Sequence, residues 1–478
     1  MVRDEGYRVR IENVMIENFK NVANGCVCFN EYPKMTRKQL CEEDFTNVLG
    51  IYGQNASGKT TVIDVLTLIR HLISGGTLNS FTRFNIRNGE SFFTIGADFL
   101  IRNDNSSNLL NYSITISNKD ERLCISEEKI ELSEFDEETQ RFGNKTKPFT
   151  FINGKGINPT FLAHIGSSNN KAVVQYLSSK GSELIYDKDS VEAKTDKGQL
   201  TSTIFNSEII SLLNNEKELL DFSKLLNTLI SFCKERFLIV NTSMYSDISK
   251  GIVGINGYGM DENLEKVHEN FLAFFGRQIM SDVKFKAFEK TLRDDGMILE
   301  SLVPGLTIKP HVYKEVLNAN GEKSVEFEIM SVRDGKEIPL FYESRGIKQL
   351  LIFIGDLIEV FNEDGTFIAI DELDSGIFEY LLGELIYTFD NYAQGQLLFT
   401  SHNFRTLEKI KPNEIYFTVL NDKNKYIRPR NIKNTNNLRN VYYKLIAQGD
   451  GDNVYYNKTS SSNIAMAFYK MKRTKGDE

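Results

Sequence analysis

Residues 53–60 read Gly53-Gln54-Asn55-Ala56-Ser57-Gly58-Lys59-Thr60, a complete GxxxxGK[ST] loop, and this is the clearest chemistry in the chain. A glycine-rich turn of this kind aims backbone N–H groups and a helix N-terminus at a polyphosphate. Lys59 is placed to reach the β- and γ-phosphates, and the Thr60 hydroxyl to ligate Mg²⁺. A second candidate is Phe367-Ile368-Ala369-Ile370-Asp371-Glu372, four apolar residues ending in two carboxylates. At the end of a buried strand, Asp371 would hold the Mg²⁺ shell through water, and Glu372 would orient or deprotonate the attacking water. A third is His402, which follows the strand-like run Gln396–Thr400 and stands beside that carboxylate pair. The fourth is Glu343-Ser344-Arg345-Gly346-Ile347-Lys348-Gln349, where Ser344 reads as the N-cap of a helix and Gly346 permits close approach of a ligand.

Each of these needs an element to carry it. Val48–Tyr52 supplies a buried strand before the phosphate loop, and Thr60–Ser74 a helix with Val62, Val65, Leu66, Ile69, Leu72 and Ile73 at helical spacing, stopped by Gly75-Gly76. Arg8–Glu17 and Gly25–Phe29 read as strands, as do Ser91–Ile101, Asn111–Ser117 and Arg122–Leu132, the last three an antiparallel series. A helical block is expected over 205–280, with one apolar stripe at Leu219, Phe222, Leu225, Leu226, Leu229 and Ile230. Leu264, Val267, Phe271, Leu272 and Phe275 form a second stripe. Val325, Phe327 and Ile329 alternate with acids toward an Asp334-Gly335 hairpin turn, and 346–420 alternates helix and strand as a parallel sheet does.

Composition narrows the class. The chain has 478 residues, 41% hydrophobic and 26% charged, with 57 basic against 65 acidic side chains and a net charge of −8. Such a chain has an ordinary globular core and no global basic field for nucleic acid. Met1–Glu5 has no apolar signal core, and the longest apolar stretch, Leu350–Phe361, is interrupted by Asp356. A cytoplasmic protein without a membrane span is expected. Cys26, Cys28 and Cys41 lie close in sequence but lack a fourth metal ligand nearby, so they read as ordinary cysteines. Lys423, Lys425, Arg428, Arg430, Lys433, Arg439 and Lys444 are interleaved with Tyr426, Tyr442 and Tyr443 and no acid, with Lys470, Lys472, Arg473 and Lys475 beyond them. The segment from Lys423 to Lys444 would suit DNA, and equally a solvated or partner-docking face.

Thr60 and Asp371 are 311 positions apart, too far for a compact GTPase or nucleotide kinase, and the chain has no NKxD guanine signature. In this order and spacing the chain resembles the ABC-type ATPase superfamily. Within it, the chain looks similar to the branch of SMC proteins, double-strand-break-repair ATPases and OLD proteins. The nearest likeness is to the "AAA family" ATPases of bacterial phage-defence and abortive-infection systems, such as the ATPase subunits of PARIS and Septu. Val14–Ser74 and Val325–Phe404 carry it.

The resemblance implies an α/β fold: an ABC head with a mixed β-sheet lobe bearing the phosphate loop, an antiparallel β lobe and a helical insertion. Boundaries expected from it are 1–200, 201–300 and 301–430, with a basic segment over 431–478. Gly53, Asn55, Ser57, Gly58, Lys59, Thr60 and Thr61 would bind ATP, joined by Lys20 and Asn21 of an opening Asn-Phe-Lys segment. Ser344, Gly346 and Lys348 resemble a variant signature acting in trans, Asp374-Ser375-Gly376 a D-loop, and His402 the switch histidine. Mg²⁺ on Thr60 and Asp371 would accompany ATP, with Glu372 and His402 catalytic.

Two copies would then clamp ATP in a homodimer or within a larger assembly. Ile347 stands where the family has Thr, and Ile377-Phe378 where it often has Leu-His, which bears on hydrolysis more than on binding. After His402 only 76 residues remain, with Asp450-Gly451-Asp452 their sole tight acidic cluster, too little for a built-in Toprim nuclease. A separate effector is therefore expected, in anti-phage defence. The competing readings are a DNA-maintenance ATPase acting directly on DNA and a scaffold that binds ATP with little hydrolysis.

Overall fold

The computed structural model describes residues 6–30, 46–241, 252–254, 271–273 and 276–474, less 104–105, 120–121, 137, 140, 186–196, 318–320, 322, 422–423, 430–431, 433–436 and 458. The chain opens with β1 (Arg8–Phe19) and β2 (Val22–Cys28), then the phosphate-loop strand β3 (Val48–Tyr52) and helix α1 (Lys59–Ile73). Strands β4 (Phe92–Arg102), β5 (Ser107–Lys119) and β6 (Arg122–Asp136) follow. They pair antiparallel in the order β2-β1-β4-β5-β6, the main part of an eleven-stranded sheet. The three antiparallel strands read from the sequence are present, the first shifted by one residue and the other two longer than the apolar alternation alone indicated.

Helix α2 (Leu220–Glu235) carries the first expected stripe, with Phe222, Leu225, Leu226 and Leu229 buried. The helical block does not continue to 280. Phe237–Val240 is a strand, β7, because four apolar residues rich in branched side chains enter a parallel sheet beside Phe367–Ile370. Of the second stripe, Phe271 and Leu272 lie in a short strand paired with Ile252–Gly254, so they are not helical. Leu264, Val267 and Phe275 lie outside the described residues, as does Cys41.

Helix α3 (Asp282–Leu302) packs on a four-stranded sheet of β8 (Thr307–Leu317), β9 (Lys323–Arg333), β10 (Lys336–Pro339) and the short strand Gln278–Ser281. The expected hairpin is there: Asp334 and Gly335 both adopt positive φ, 48° and 74°, between β9 and β10. Helix α4 (Arg345–Asn362) leads into β11 (Phe367–Ile370), α5 (Glu379–Tyr392) and β12 (Gln396–Ser401). Then come β13 (Ile415–Thr418), β14 (Tyr426–Ile427), α6 (Leu438–Gln448) and α7 (Ser461–Thr474).

The second large sheet has the order β7-β11-β12-β3-β13-β14, parallel throughout except for β14. Its strands are almost wholly buried, so they appear in the sequence as short unbroken apolar runs. Helix α1 shares one hydrophobic cluster with the antiparallel sheet, where Val62, Leu66 and Ile69 join Val14, Ile16 and Phe93. The two sheets are also tied directly. The buried Gln396 amide accepts from Ile11 N and donates to Ile11 O, both at 2.8 Å. The architecture is the expected α/β one, a parallel lobe bearing the phosphate loop against an antiparallel lobe.

Candidate functional site

The carboxyl ends of β11, β12, β3 and β13 lie on one edge of the parallel sheet, since Ile370 pairs with Phe399, Ser401 with Tyr52 and Tyr416 with Ile51. Loops leaving such an edge are where open α/β sheets bind ligands. Three separately read motifs therefore meet there, the phosphate loop, Asp371-Glu372 and His402, while the fourth opens α4 and touches only the turn at 374–376.

The phosphate loop leaves β3 at Gly53. A Cβ on Gly53 would sit 1.7 Å from Thr418 Oγ1, so glycine is required by its neighbour on β13. Thr418 also meets Ser57 Oγ at 2.5 Å and donates to Tyr52 O at 3.3 Å. Ala56 and Gly58 take positive φ (59° and 102°), and Gly58 stands at the N-terminus of α1. Asn21 Nδ2 donates to Ala56 O at 2.6 Å and its Oδ1 accepts from the Thr61 hydroxyl at 3.1 Å. Tyr426, fully buried, donates to Gly58 O at 2.8 Å. Asn55, Ala56 and Thr60 remain exposed.

Thus Asn21 and Thr61 brace the loop from behind, Thr61 being buried. Lys20 ion-pairs with Asp64 on α1 at 2.6 Å. Lys59 Nζ donates to Gly53 O and Gln54 O, both 3.0 Å. Burial brings its ammonium down to about 8, against the pull of Asp371, Glu372 and Asp374.

Asp371 and Glu372 follow β11. Asp371 Oδ1 accepts from Thr60 Oγ1 at 3.2 Å and from Thr400 Oγ1 at 2.6 Å. The same Thr400 hydroxyl accepts from Glu372 N at 2.8 Å, so one side chain holds both acidic residues in place. Burial raises the Asp371 carboxyl, and the Thr400 and Thr60 bonds oppose it. Glu372 has φ 52°, a left-handed conformation strained for a residue with a side chain.

Thr60 Oγ1 and Asp371 Oδ1 are spaced like neighbouring ligands of one octahedral Mg²⁺ shell, where ligands at 2.0–2.1 Å stand ~3 Å apart. Among the described residues no group of three or more His, Cys, Asp or Glu is arranged to hold a metal.

His402 is half-buried after β12, and its backbone N–H donates to Asp374 Oδ2 at 3.2 Å. Burial lowers its pKa, and the Lys59 charge pushes the same way against Asp374, Glu372 and Asp371. The shift favours the neutral imidazole, which can donate one hydrogen bond and accept another.

Ser344 caps α4, its Oγ accepting from Ile347 N at 3.4 Å, and is exposed. Lys348 donates to Phe341 O and lies 4.9 Å over the Phe341 ring. Gly346 is buried against the turn at 374–376: a Cβ there would stand 1.9 Å from Gly376 O. Its glycine is therefore demanded by packing within the chain, besides any ligand approach. Ile347 is buried in the core, while Phe378 is 68% exposed. Ser375 N donates to Glu372 O at 2.9 Å, completing the turn with Asp374.

Thr400 and Thr418 escaped the sequence reading because they sit inside apolar strands, where such residues report only β propensity, and Tyr426 was read only as part of the basic segment. Asn457, whose N–H donates to Gln54 Oε1 at 3.0 Å, gave no signal at all. The basic segment is partly committed inside the fold. Lys425 is buried, and Arg428 bonds Cys28 O and lies 4.7 Å over the Tyr416 ring. Arg439 pairs with Glu408 at 3.0 Å. Tyr426 and Tyr442 are buried, which leaves Tyr443 as the one of the three tyrosines available for stacking. Lys444 and Lys470 are exposed, whereas Lys423, Arg430, Lys433 and Lys475 lie outside the described residues.

Residues 48–230 match a family described as "AAA domain, putative AbiEii toxin, Type IV TA system". No curated protein matches the chain. Among solved structures the chain is similar to an Smc head bound to the C-winged helix domain of ScpA, at 13% identity and a TM-score of 0.43, covering 87% of this chain and 97% of that one. It is similar to an SMC head domain from Thermotoga maritima at 12% identity and a TM-score of 0.34, covering 88% and 99%. For a RecF–ATP structure the values are 13%, 0.30, 83% and 94%. Among the described residues no helix is long and apolar enough to cross a membrane.

Proposed function

We propose that the chain is an ATP hydrolase in which two copies close on shared nucleotide, and that this closure controls a separate effector protein. The observation that carries the reading is the meeting of Lys59, Thr60, Asp371, Glu372 and His402 at one sheet edge, with the phosphate loop left open to solvent.

In this reading the loop N–H groups and Lys59 bind the phosphates, and Thr60 and Asp371 hold Mg²⁺. A bound Mg²⁺ supplies charge neutralisation and orientation of the phosphate oxygens. Glu372 takes a proton from water, and neutral His402 hydrogen-bonds the γ-phosphate or that water. The exposed α4 N-terminus at Ser344 meets the γ-phosphate bound by the second copy, its helix dipole favouring the anion. ATP thus favours the closed pair, and hydrolysis removes that preference.

The match of residues 48–230 to a family described as a putative toxin of a type IV toxin–antitoxin system supports a role within such a system, and we place the gated effector there. Lys425, Arg428 and Arg439 are engaged within the fold while Lys444 and Lys470 are exposed, and a DNA-maintenance ATPase acting directly on DNA is the second reading. Glu372→Gln tests the scheme: turnover is expected to fall at least tenfold while ATP-dependent dimers persist on size-exclusion light scattering. Unchanged turnover, or monomers with ATP, would refute it.

A further inference from the structure

The turn that links Glu372 to the signature helix lies on a polar layer left unsatisfied. Gln349, one turn into α4, is completely buried, yet among the described residues no group pairs with either its Oε1 or its Nε2. Burying an amide without partners is costly, and native folds seldom leave both atoms so. The side chain lies against the turn at 374–376, its Oε1 3.5 Å from where a Cβ on Gly376 would stand. The turn has its own orphan: Asp374 Oδ1 is buried with no partner among the described residues, although Oδ2 accepts from His402 N. The backbone leading into it is strained at Glu372, φ 52°, while Gly376 turns freely at φ 76°. Finally, Gly346 and Gly376 touch backbone to backbone, so a shift of the α4 N-terminus must move the turn as well.

We infer that Gln349 is a positioning residue that captures the 374–376 turn when two copies close on ATP, its amide bonding turn backbone groups and so aligning Glu372 and His402. The inference rests on the two-copy reading above and adds the element that couples one copy's signature to its own hydrolytic residues. In the form described here the amide is held in reserve, which disfavours this arrangement and readies the turn to move. Closure pushes on Ser344 and Gly346, Gly376 follows, and the displaced backbone meets the Gln349 amide. Asp374 carries the same displacement to the backbone of His402.

The test is Gln349→Leu, which keeps the approximate size and removes both orphan atoms. The nucleotide-free variant is expected to melt higher than the parent, because a buried unsatisfied amide is gone. Binding of a fluorescent ATP analogue should stay within twofold, while turnover at saturating ATP·Mg²⁺ falls at least tenfold. A raised melting temperature with unchanged turnover would overturn the inference. So would a lowered melting temperature with proportionate loss of binding and turnover, which would mark Gln349 as structural. The E372Q background separates the two levels. If E372Q alone forms no ATP-dependent dimer, the two-copy reading fails. If E372Q forms dimers and E372Q/Q349L forms them with equal affinity, the capture by Gln349 alone fails.

Discussion

Replacing Thr400 by valine removes one hydroxyl that serves two acidic residues. In the structure that hydroxyl donates to Asp371 Oδ1 at 2.6 Å and accepts from Glu372 N at 2.8 Å. A hydrogen bond to a charged partner contributes ~1.5–3 kcal/mol, and an orphaned buried N–H costs a similar amount. If the first of these is lost in the transition state, turnover falls ~10- to 150-fold, at 1.36 kcal/mol per decade. ATP binding should change little, since Lys59 and the loop N–H groups are untouched.

A second signature follows from the charge. Burial already raises the Asp371 carboxyl, and the Thr400 bond is one of the contacts holding it down. Without it the carboxyl rises further, so the ionised form needed for Mg²⁺ is lost at a higher pH, and the acid limb of the pH–rate profile moves upward. Phosphate release at saturating ATP·Mg²⁺ over pH 5–8, beside nucleotide binding by fluorescence, reads both. Turnover within twofold of the parent with an unmoved acid limb would refute the argument.

Three other outcomes are expected. Lys59, lowered by burial to about 8, loses its charge as pH rises through that value, so ATP affinity should fall between pH 7 and 9, while Lys59→Arg stays flat. Because its folded pKa lies below the unfolded one, fold stability rises over the same range, and a thermal scan against pH checks the sign. Tyr426→Phe deletes the buried bond to Gly58 O, costing about 1 kcal/mol in chemical denaturation and weakening ATP binding several-fold. Gly346→Ala places a methyl 1.9 Å from Gly376 O; it should abolish hydrolysis and lower the Tm, yet leave nucleotide binding at the phosphate loop within threefold by fluorescence titration.

The phosphate loop, Asp371-Glu372 and His402 were legible because each ends a short apolar run, and in a parallel sheet such runs terminate on one edge. Ser344 was legible as a cap for a local reason: its hydroxyl satisfies a donor three residues away. What could not be read depends on partners distant in sequence. Thr400 matters because it lies between Asp371 and Glu372 N, and Thr418 because it fills the space a Gly53 side chain would need. The same distance misled the basic segment, whose apparent lack of acids vanishes once Glu408 is brought to Arg439. Strand β7 was hidden inside a helical block since four apolar residues show no period of their own.

The amide of Gln396 imitates a strand backbone, stitching the parallel sheet to the antiparallel one with a matched donor and acceptor. One apolar cluster also runs from Val14 and Phe93 in the antiparallel sheet to Leu49 and Phe367 in the parallel one, so swinging the two halves apart would expose buried core. In the proposed reading, nucleotide turnover would then act at the molecule's rim, in turns and helix ends. A listening protein would sense a reshaped border rather than a jaw that opens.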